Sequence, residues 1–302
     1  MVNLQEIKAR IKSVGDTQKI TNAMYLIASN EVRRARRDFD KARPYFDELR
    51  TEIKRVFRTL KQIDHPYVYP DDLEDFKNGR YGILVISSDR SLAGAYNQEV
   101  IGETTRLIES HPEVKLFVVG EYGRKYFAKA GVEMQEDFNY SPAHANLETA
   151  RQISTIMLDQ FDAGILKKIF VVYTNQQEGG QKTISTRLLP FHRGYFADTK
   201  DSKNEKKILH EFSFLPSPEK VLDVAIVSYI QGFIYGALVD SFCSEANSRI
   251  QAMKQADDNA KNILLELGLE RNQVRQAQIT EEINEVSAGA KAQQKERSAR
   301  HG

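Results

Sequence analysis

Residues 243–290 read CSEANSRIQAMKQADDNAKNILLELGLERNQVRQAQITEEINEVSAGA and decide the fold. The stretch has no proline, and Ala, Leu, Glu, Gln, Lys and Arg, all good helix formers, dominate it. Its interior glycines, Gly268 and Gly289, each cost about 1 kcal/mol relative to alanine, which a helix held by neighbours tolerates. The sequence therefore predicts one long helix here.

Apolar residues recur at steps of three and four along this helix and upstream of it. A seam sustained over several heptads is typical of a coiled coil, and Asp257 is its one charged break. After Leu267 the spacing changes phase, which indicates that the helix meets a different neighbour there. The seam consists of Leu222, Ala225, Tyr229, Gly232, Gly236, Val239, Cys243, Ala246, Ile250, Met253, Ala260, Leu264 and Leu267, and the set beyond it of Ile279, Ile283, Val286 and Ala290.

A second seam begins at Leu4 and continues to Leu60, which as one helix would be about 85 Å long at 1.5 Å per residue. Only Gln18 and Thr21 are polar along it. Pro44 is expected to kink or break this helix, because proline removes a backbone donor and clashes with the preceding turn. Two amphipathic helices separated near residue 43 are the alternative interpretation.

Between the two seams the period changes. Short apolar runs, like those of buried parallel strands, alternate with helical patterns, which predicts a small inserted α/β sheet domain. The predicted strands are 81–88, 115–120, 168–174 and 183–189, and the predicted helices are 98–109, 122–130 and 146–161. Ser217 then suits the N-cap and Pro218 the first position of the long helix.

These patterns divide the chain into an N-terminal shaft helix at 1–62, an inserted α/β domain at 63–217 and a C-terminal shaft helix with tail at 218–302. The two shaft helices must be antiparallel if they pair, because the insert joins them at one end. With Leu60 level with Leu222, Leu4 would lie level with residue 278. The C-terminal helix would then overhang from about Ile279, and such a tip, poorly stable alone, should be held by a partner.

Composition excludes several classes of protein. With 43 basic and 42 acidic residues the net charge is +1, so no charge excess points to nucleic acid. The single cysteine, Cys243, rules out a disulfide framework and a cysteine metal site. The chain enters a helical pattern at once and has no apolar run near 18 residues, so we expect neither a leader segment nor a membrane span.

Candidate ligand sites are few. The segment SDRSLAGAYN at 88–97 follows the first strand, where α/β domains often bind ligands, but it lacks the glycine motifs of phosphate cradles. The six histidines show no metal-binding spacing. The basic cluster at 33–43 has no interleaved aromatic residues, which favours an acidic protein partner over nucleic acid. We therefore expect no catalytic residue, no cofactor and no metal.

Four stretches together resemble one family. They are IKARIKSVGDTQKITNAM at 7–24, FSFLPSPEKVLD at 212–223, SEANSRIQAMKQADDNA at 244–260 and RNQVRQAQITEEINEV at 271–286. In these the chain is similar to the gamma subunits of F-type rotary ATP synthases. The resemblance covers nearly the whole chain.

The resemblance implies a non-catalytic rotor. In that family the paired terminal helices form the central stalk inside a ring of alternating alpha and beta subunits, which carry the catalytic sites. The inserted domain sits at the foot with the epsilon subunit and the membrane ring of c subunits, whose ion-driven rotation is coupled to ATP synthesis or hydrolysis. A peripheral protein on the cytoplasmic face of a bacterial cell membrane, attached only through the c-ring, is implied.

The resemblance also implies contact residues. Arg275, Gln276 and Thr280 match positions that hydrogen-bond a loop of a beta subunit, although exposed polar residues on a helix would fit the sequence equally well. The C-terminal tail at 291–302 departs from the family by running past its usual end, and we expect it to be a flexible polar extension.

Further contacts lie elsewhere on the shaft and at its foot. Met24 matches the methionine that faces the lever region of beta, and Arg33 and Arg34 extend that side. Phe214 and Leu215 are the candidate contacts with epsilon and the c-ring, where Leu215 replaces an acidic residue common in the family.

Two other classes remain open. A stand-alone α/β protein with coiled-coil arms would bind a small ligand beside Asp89 to Asn97. An adaptor or nucleic-acid-binding protein would bind through Arg33 to Arg43 with strong salt dependence.

Overall fold

The computed structural model describes residues 4–59, 65–69, 79–111, 113–177, 180–191, 215 and 217–300. By their internal contacts they form two compact units. The central unit comprises residues 28–249, and the terminal unit comprises residues 4–27 and 250–300. The division of the sequence into 1–62, 63–217 and 218–302 stays a prediction.

Two long helices carry the periodic seams: α1 (Leu4–Thr59) and α5 (Pro218–Arg300). Helix α1 continues through Pro44, so the alternative of two helices divided near residue 43 is wrong. Residues on both sides of the proline hold the helix against the core, since Phe39 and Phe46 each pack edge-on against Tyr235 of α5. Burial of these rings offsets the lost hydrogen bond of Pro44.

The inserted domain is a mixed four-stranded sheet in the order β2–β1–β3–β4. Its strands are β1 (Tyr81–Ile86), β2 (Val114–Val119), β3 (Lys168–Gln177) and β4 (Gly180–Leu189). Strand β1 pairs in parallel with both β2 and β3, and β4 pairs antiparallel with β3 as an edge strand. The continuous apolar runs of β1 and β2 are buried, as expected for parallel strands covered on both faces.

Three helices accompany the sheet: α2 (Tyr96–Ser110), α3 (Glu121–Lys129) and α4 (Leu147–Asp162). Each matches a predicted helix within two residues. Asn146 caps α4 through its side chain, which accepts a hydrogen bond from Thr149 N at 2.8 Å. The inserted α/β sheet domain predicted from the sequence is thus confirmed.

Within the central unit α1 and α5 are antiparallel. A Cβ built on Gly232 would lie 2.1 Å from the ring of Phe46, and one on Gly236 would lie 3.4 Å from the ring of Phe39. Phe39 faces Gly236, and Phe46, further along α1, faces Gly232, which comes earlier in α5, so the two helices run in opposite directions. The two glycines leave the slots that the phenylalanine rings fill, which allows the helices to approach closely.

The terminal unit continues the pairing with a different register from the predicted one. Ile7, Met253, Ala260 and Leu267 are buried. Lys261 and, after it, the Gln18 side chain lower the pKa of Asp257, so Gln18 is close to Asp257. Because Gln18 lies beside Asp257, Leu4 is level with about residue 271, not with residue 278 as predicted. The unpaired part of α5 therefore begins about two turns earlier than expected.

Helix α5 extends to Arg300, so the expectation of a flexible tail from residue 291 is wrong as far as Arg300. By length and composition α5 alone among the described helices is apolar enough to cross a membrane, and half of its most apolar window is buried inside the protein. Polar residues interrupt this window, so the sequence contains no continuous apolar run of that length. Helices in protein cores have the same length and composition, so these two properties do not make α5 a membrane span.

Candidate partner-binding surface

The first candidate surface lies at the end of α5. Every residue from 275 to 291 is exposed, including Arg275, Gln276 and Thr280. We call this stretch the exposed end segment. The Thr280 hydroxyl donates to the Gln276 carbonyl oxygen at 2.9 Å, so one polar group is used within the helix. The Arg275 guanidinium and the Gln276 side-chain amide stay available as hydrogen-bond donors to a partner.

The exposed end segment also presents apolar side chains to solvent. Ile279 is 44% exposed, Ile283 61% and Val286 73%. Elsewhere on α5 the corresponding seam positions, such as Ala260 and Leu267, are buried. Large apolar side chains beside polar donors make a surface typical of protein–protein contact.

The candidate residues of α1 fall into different units. Met24 is half-buried in the terminal unit, whereas Arg33 and Arg34 are exposed in the central unit. The structure therefore brings Arg275, Gln276 and Thr280 together on consecutive helical turns, but it does not join Met24 to the two arginines in one unit. Both arginines can reach an acidic partner, because their side chains are solvent-exposed.

The foot candidates precede α5. Phe214 lies outside the described residues, and Leu215 is 86% exposed. Immediately after it, the Ser217 hydroxyl accepts from Lys220 N at 3.4 Å and its carbonyl accepts from Val221 N at 3.1 Å. The predicted cap at Ser217 with Pro218 at the first helical position is thus confirmed.

The loop at 88–97, the alternative ligand site, uses its polar groups internally. The Asn97 side chain accepts from Ser88 N at 3.1 Å. The Asp89 carboxylate accepts from Glu121 N at 3.2 Å and from the Ser141 hydroxyl. These bonds hold a strand-to-helix turn together, which leaves these groups with little capacity to bind a ligand.

Helix α5 covers the carboxyl ends of the sheet strands, where the loop at 88–97 also lies. In open α/β sheets ligands bind at the carboxyl ends of the strands, where the strand order reverses, and here that point lies after β1. The backbone of Ser248 comes within 3.7 Å of where a Cβ of Gly94 would be, and the Ser241 hydroxyl accepts from Thr174 N at 3.1 Å. The usual ligand crevice is therefore an attachment site for the helix.

A buried ion pair within α5 lies beside this attachment, and it was not predicted from the sequence. Glu245 and Arg249 are 2.5 Å apart, with side chains only 6% and 11% exposed. Burial raises the pKa of Glu245, with Asp89 and Glu31 adding to the rise and Arg249 opposing it. Burial and the nearby Glu245 raise the pKa of Tyr96 as well. The sequence does place Ser241, Ser244, Glu245 and Ser248 on one helix face, at steps of three and four residues, but it does not show what that face contacts.

Two further hydrogen bonds tie the hairpin of β3 and β4 to α5. The Gln181 side-chain amide donates to Ser244 O at 2.9 Å, and the Ser248 hydroxyl donates to the Gln181 side-chain oxygen at 2.8 Å. Together with the ion pair they form a polar cluster between the sheet and the helix, consisting of Thr174, Gln181, Ser241, Ser244, Glu245, Ser248 and Arg249. In the described part of the chain, no group of three or more His, Cys, Asp or Glu side chains could hold a metal.

Two long helices with an α/β domain inserted between them in the chain, and one helix end presented to solvent, are the features expected of a stalk protein. The family model described as ATP synthase matches residues 3–293. The chain is 35% identical to the ATP synthase gamma chain of Caldanaerobacter subterraneus over 95% of its own length and 98% of that protein's. It is 33% identical to the gamma chain of Acetivibrio thermocellus over 97% and 99% of the two lengths. The chain belongs to the ATP synthase gamma-chain family.

Solved structures share the fold at lower identity. A chain of the Euglena gracilis mitochondrial ATP synthase matches with a TM-score of 0.60 at 14% identity, covering 96% of this chain and 94% of that one. A chain of the Tetrahymena thermophila central stalk and c-ring matches with a TM-score of 0.54 at 21% identity, covering 78% and 99%. The predicted resemblance and the predicted fold class are both confirmed.

Proposed function

We propose that this chain is the central rotor shaft of an ATP synthase, coupling ion-driven rotation of a membrane c-ring to ATP synthesis or hydrolysis. The exposed end segment carries this proposal. An isolated helical stretch of this length is marginal in water, and this one presents apolar side chains without a partner in the described chain. A surrounding ring of alpha and beta subunits would supply the contacts that it lacks.

The mechanism follows from differential contact. A shaft that touches one beta subunit differently from the next stabilises a different conformation in each, and its rotation exchanges those conformations. The catalytic sites belong to the partners, so this chain acts as a non-catalytic subunit of an ATP-synthesising complex. Ion transport and membrane attachment belong to the c-ring, which would place the chain peripherally on the cytoplasmic face of the membrane.

The contact residues have distinct roles in this proposal. Arg275, Gln276 and Thr280 bind a loop of a beta subunit by hydrogen bonds. Met24 faces the lever region of beta, and Arg33 and Arg34 meet acidic groups beside it. At the foot Phe214 and Leu215 contact epsilon or the c-ring.

Co-purification with alpha and beta subunits tests the assignment, with ATP hydrolysis of the complex as the second readout. Arg275→Ala combined with Gln276→Ala should leave the complex assembled and lower its turnover. Lys254→Ala combined with Gln255→Ala is the matched control, since it removes a cation and an adjacent amide at exposed positions of the same helix.

The possible outcomes test the shaft assignment and the contact site separately. A chain that never associates with alpha and beta contradicts the shaft assignment itself. A complex that assembles but responds equally to both double variants keeps the shaft and contradicts the contact site. Internal use of the polar groups at 88–97 disfavours the small-ligand alternative, so we carry no second function forward.

A further inference from the structure

A cleft opens on the central unit where α1, α5 and β3 meet. It has a volume of about 200 Å³ and lies beside the Gly232 and Gly236 slots. Aromatic rings form much of its wall, and four charged side chains line it. The rings belong to Phe39, Phe46, Tyr173, Tyr229 and Phe233, and the charged residues are Arg43, Asp47, Arg50 and Asp240.

The charged side chains of the cleft differ in whether an oppositely charged group lies beside them. Asp47 pairs with Arg43 at 3.6 Å. Burial raises the pKa of Asp240, while Arg36 and Arg43 lower it, so cations also face this carboxyl group. Arg50 is the remaining charge.

Arg50 forms no ion pair with either carboxylate of the cleft, Asp47 or Asp240. Its Nε is buried and has no hydrogen-bond partner, and among the described residues its guanidinium forms no ion pair. A buried guanidinium N–H without an acceptor loses its hydration without replacement, which costs about 1–3 kcal/mol or more for a charged group. Such a group is stabilised by an oxygen acceptor that enters the cleft.

We propose that this cleft is an oxyanion site, in which Arg50 binds a carboxylate or phosphate group with Arg43 at its side. Guanidinium groups bind both oxyanions through paired, charge-assisted hydrogen bonds. The aromatic walls lower the local dielectric and so strengthen that bond. The oxyanion is either free phosphate or an acidic side chain of a bound protein, and the site does not depend on the proposed shaft function.

Arginine-specific modification with phenylglyoxal, mapped by peptide mass spectrometry, tests the site in the full chain. Phosphate should slow the modification of Arg50 saturably, by about tenfold at ten times the half-saturating concentration. Arg151 is the internal control, as an exposed arginine on α4 with only a 3.8 Å ion pair. Sodium chloride at equal ionic strength separates binding from screening.

Two results would overturn the proposal. One is that phosphate slows Arg50 and Arg151 equally, as sodium chloride does. The other is that phosphate leaves Arg50 as reactive as before. A second measurement guards against misfolding: the phosphate-dependent rise of the melting temperature should disappear in Arg50→Gln, shrink in Arg50→Lys and persist in Arg151→Gln.

The same footprint in the complex with alpha and beta subunits identifies the source of the oxyanion. If Arg50 is protected there without added phosphate, the acceptor is a partner carboxylate. If it is protected only when phosphate is added, the ligand is the free ion. Failure of the chain to enter that complex would contradict the shaft assignment and leave the result in the free chain intact.

Discussion

The two ends of α5 differ in what their apolar residues contact. In the central unit Leu222, Ile226 and Leu238 are fully buried and pack into one core with α1 and the sheet. In the exposed end segment Ile283 and Val286 are mostly exposed although they belong to the same continuous helix. The comparison teaches that one end of the helix is stabilised by its own chain, whereas the other has to be stabilised from outside.

The largest expected effect is a difference in lost stability between truncating a buried isoleucine and truncating an exposed isoleucine of this helix. Ile226→Ala should lower the free energy of unfolding by about 2–5 kcal/mol, because it empties a fully buried site. Ile283→Ala should change it by less than about 0.5 kcal/mol, because the side chain is already solvated. Urea unfolding of the full chain measures both. Comparable losses in the two variants would mean that the end segment is buried in the free chain.

A smaller effect is expected from adding one methyl group to a glycine. Gly232→Ala should destabilise the chain by about 1–3 kcal/mol, because the new Cβ would overlap the ring of Phe46. Gly268→Ala, with open space around it, should instead stabilise α5 by up to about 1 kcal/mol. Thermal unfolding distinguishes the two signs. A stabilised Gly232→Ala chain would contradict the close approach of α1 and α5.

The buried ion pair predicts a pH dependence. Because burial raises the pKa of Glu245 above its ordinary 4.5, the folded chain holds this proton to higher pH than the unfolded chain does. Its contribution to stability is therefore present below pH 4.5 and is lost as the pH rises through the folded-state pKa, at about 1.4 kcal/mol per unit of difference.

Glu245→Gln removes this titration. The stability of the wild type relative to the variant should fall as the pH rises from about 4 to about 7, measured by urea unfolding at each pH. Glu281→Gln, the same substitution at an exposed position of this helix, is the control against which the trend is compared. A relative stability that rises with pH would mean that Arg249 outweighs burial.

The smallest effect sharpens the comparison at the functional end. Arg275→Ala with Gln276→Ala should leave the unfolding free energy of the free chain within about 0.5 kcal/mol of the wild type, since both side chains are exposed and contact nothing buried. Circular dichroism melts of the free chain check this. A large loss of stability would give these residues a structural role and remove the basis for assigning them to a partner.

Sequence reasoning located the helices and strands closely, because each depends on local periodicity and on end signals such as Asn146 and Ser217. It also identified the end of α5 as a candidate contact surface, because the apolar residues there no longer follow the seam of the preceding part of the helix. At Pro44 the local rule predicted a kink or a break, and the helix does not break there. Packing of Phe39 and Phe46 on either side of the proline overrides that rule, and such packing cannot be read from local sequence.

The polar cluster around Glu245 was likewise out of reach. The spacing of Ser241, Glu245 and Ser248 does not indicate that the carboxyl end of the sheet packs against them. The partners on the sheet, Thr174 and Gln181, are more than sixty residues away in sequence.

The sequence by itself determined that two long seamed helices flank an inserted α/β domain along the chain, because a repeat of three and four residues fixes which helix face is apolar. Tertiary structure alone decided the register between those helices, in which Gln18 lies beside Asp257 and Phe46 fills the slot at Gly232. Tertiary structure also decided that α5 covers the carboxyl ends of the strands. The physical reason is that register and docking depend on the fit of side chains distant in sequence, and periodicity does not specify that fit.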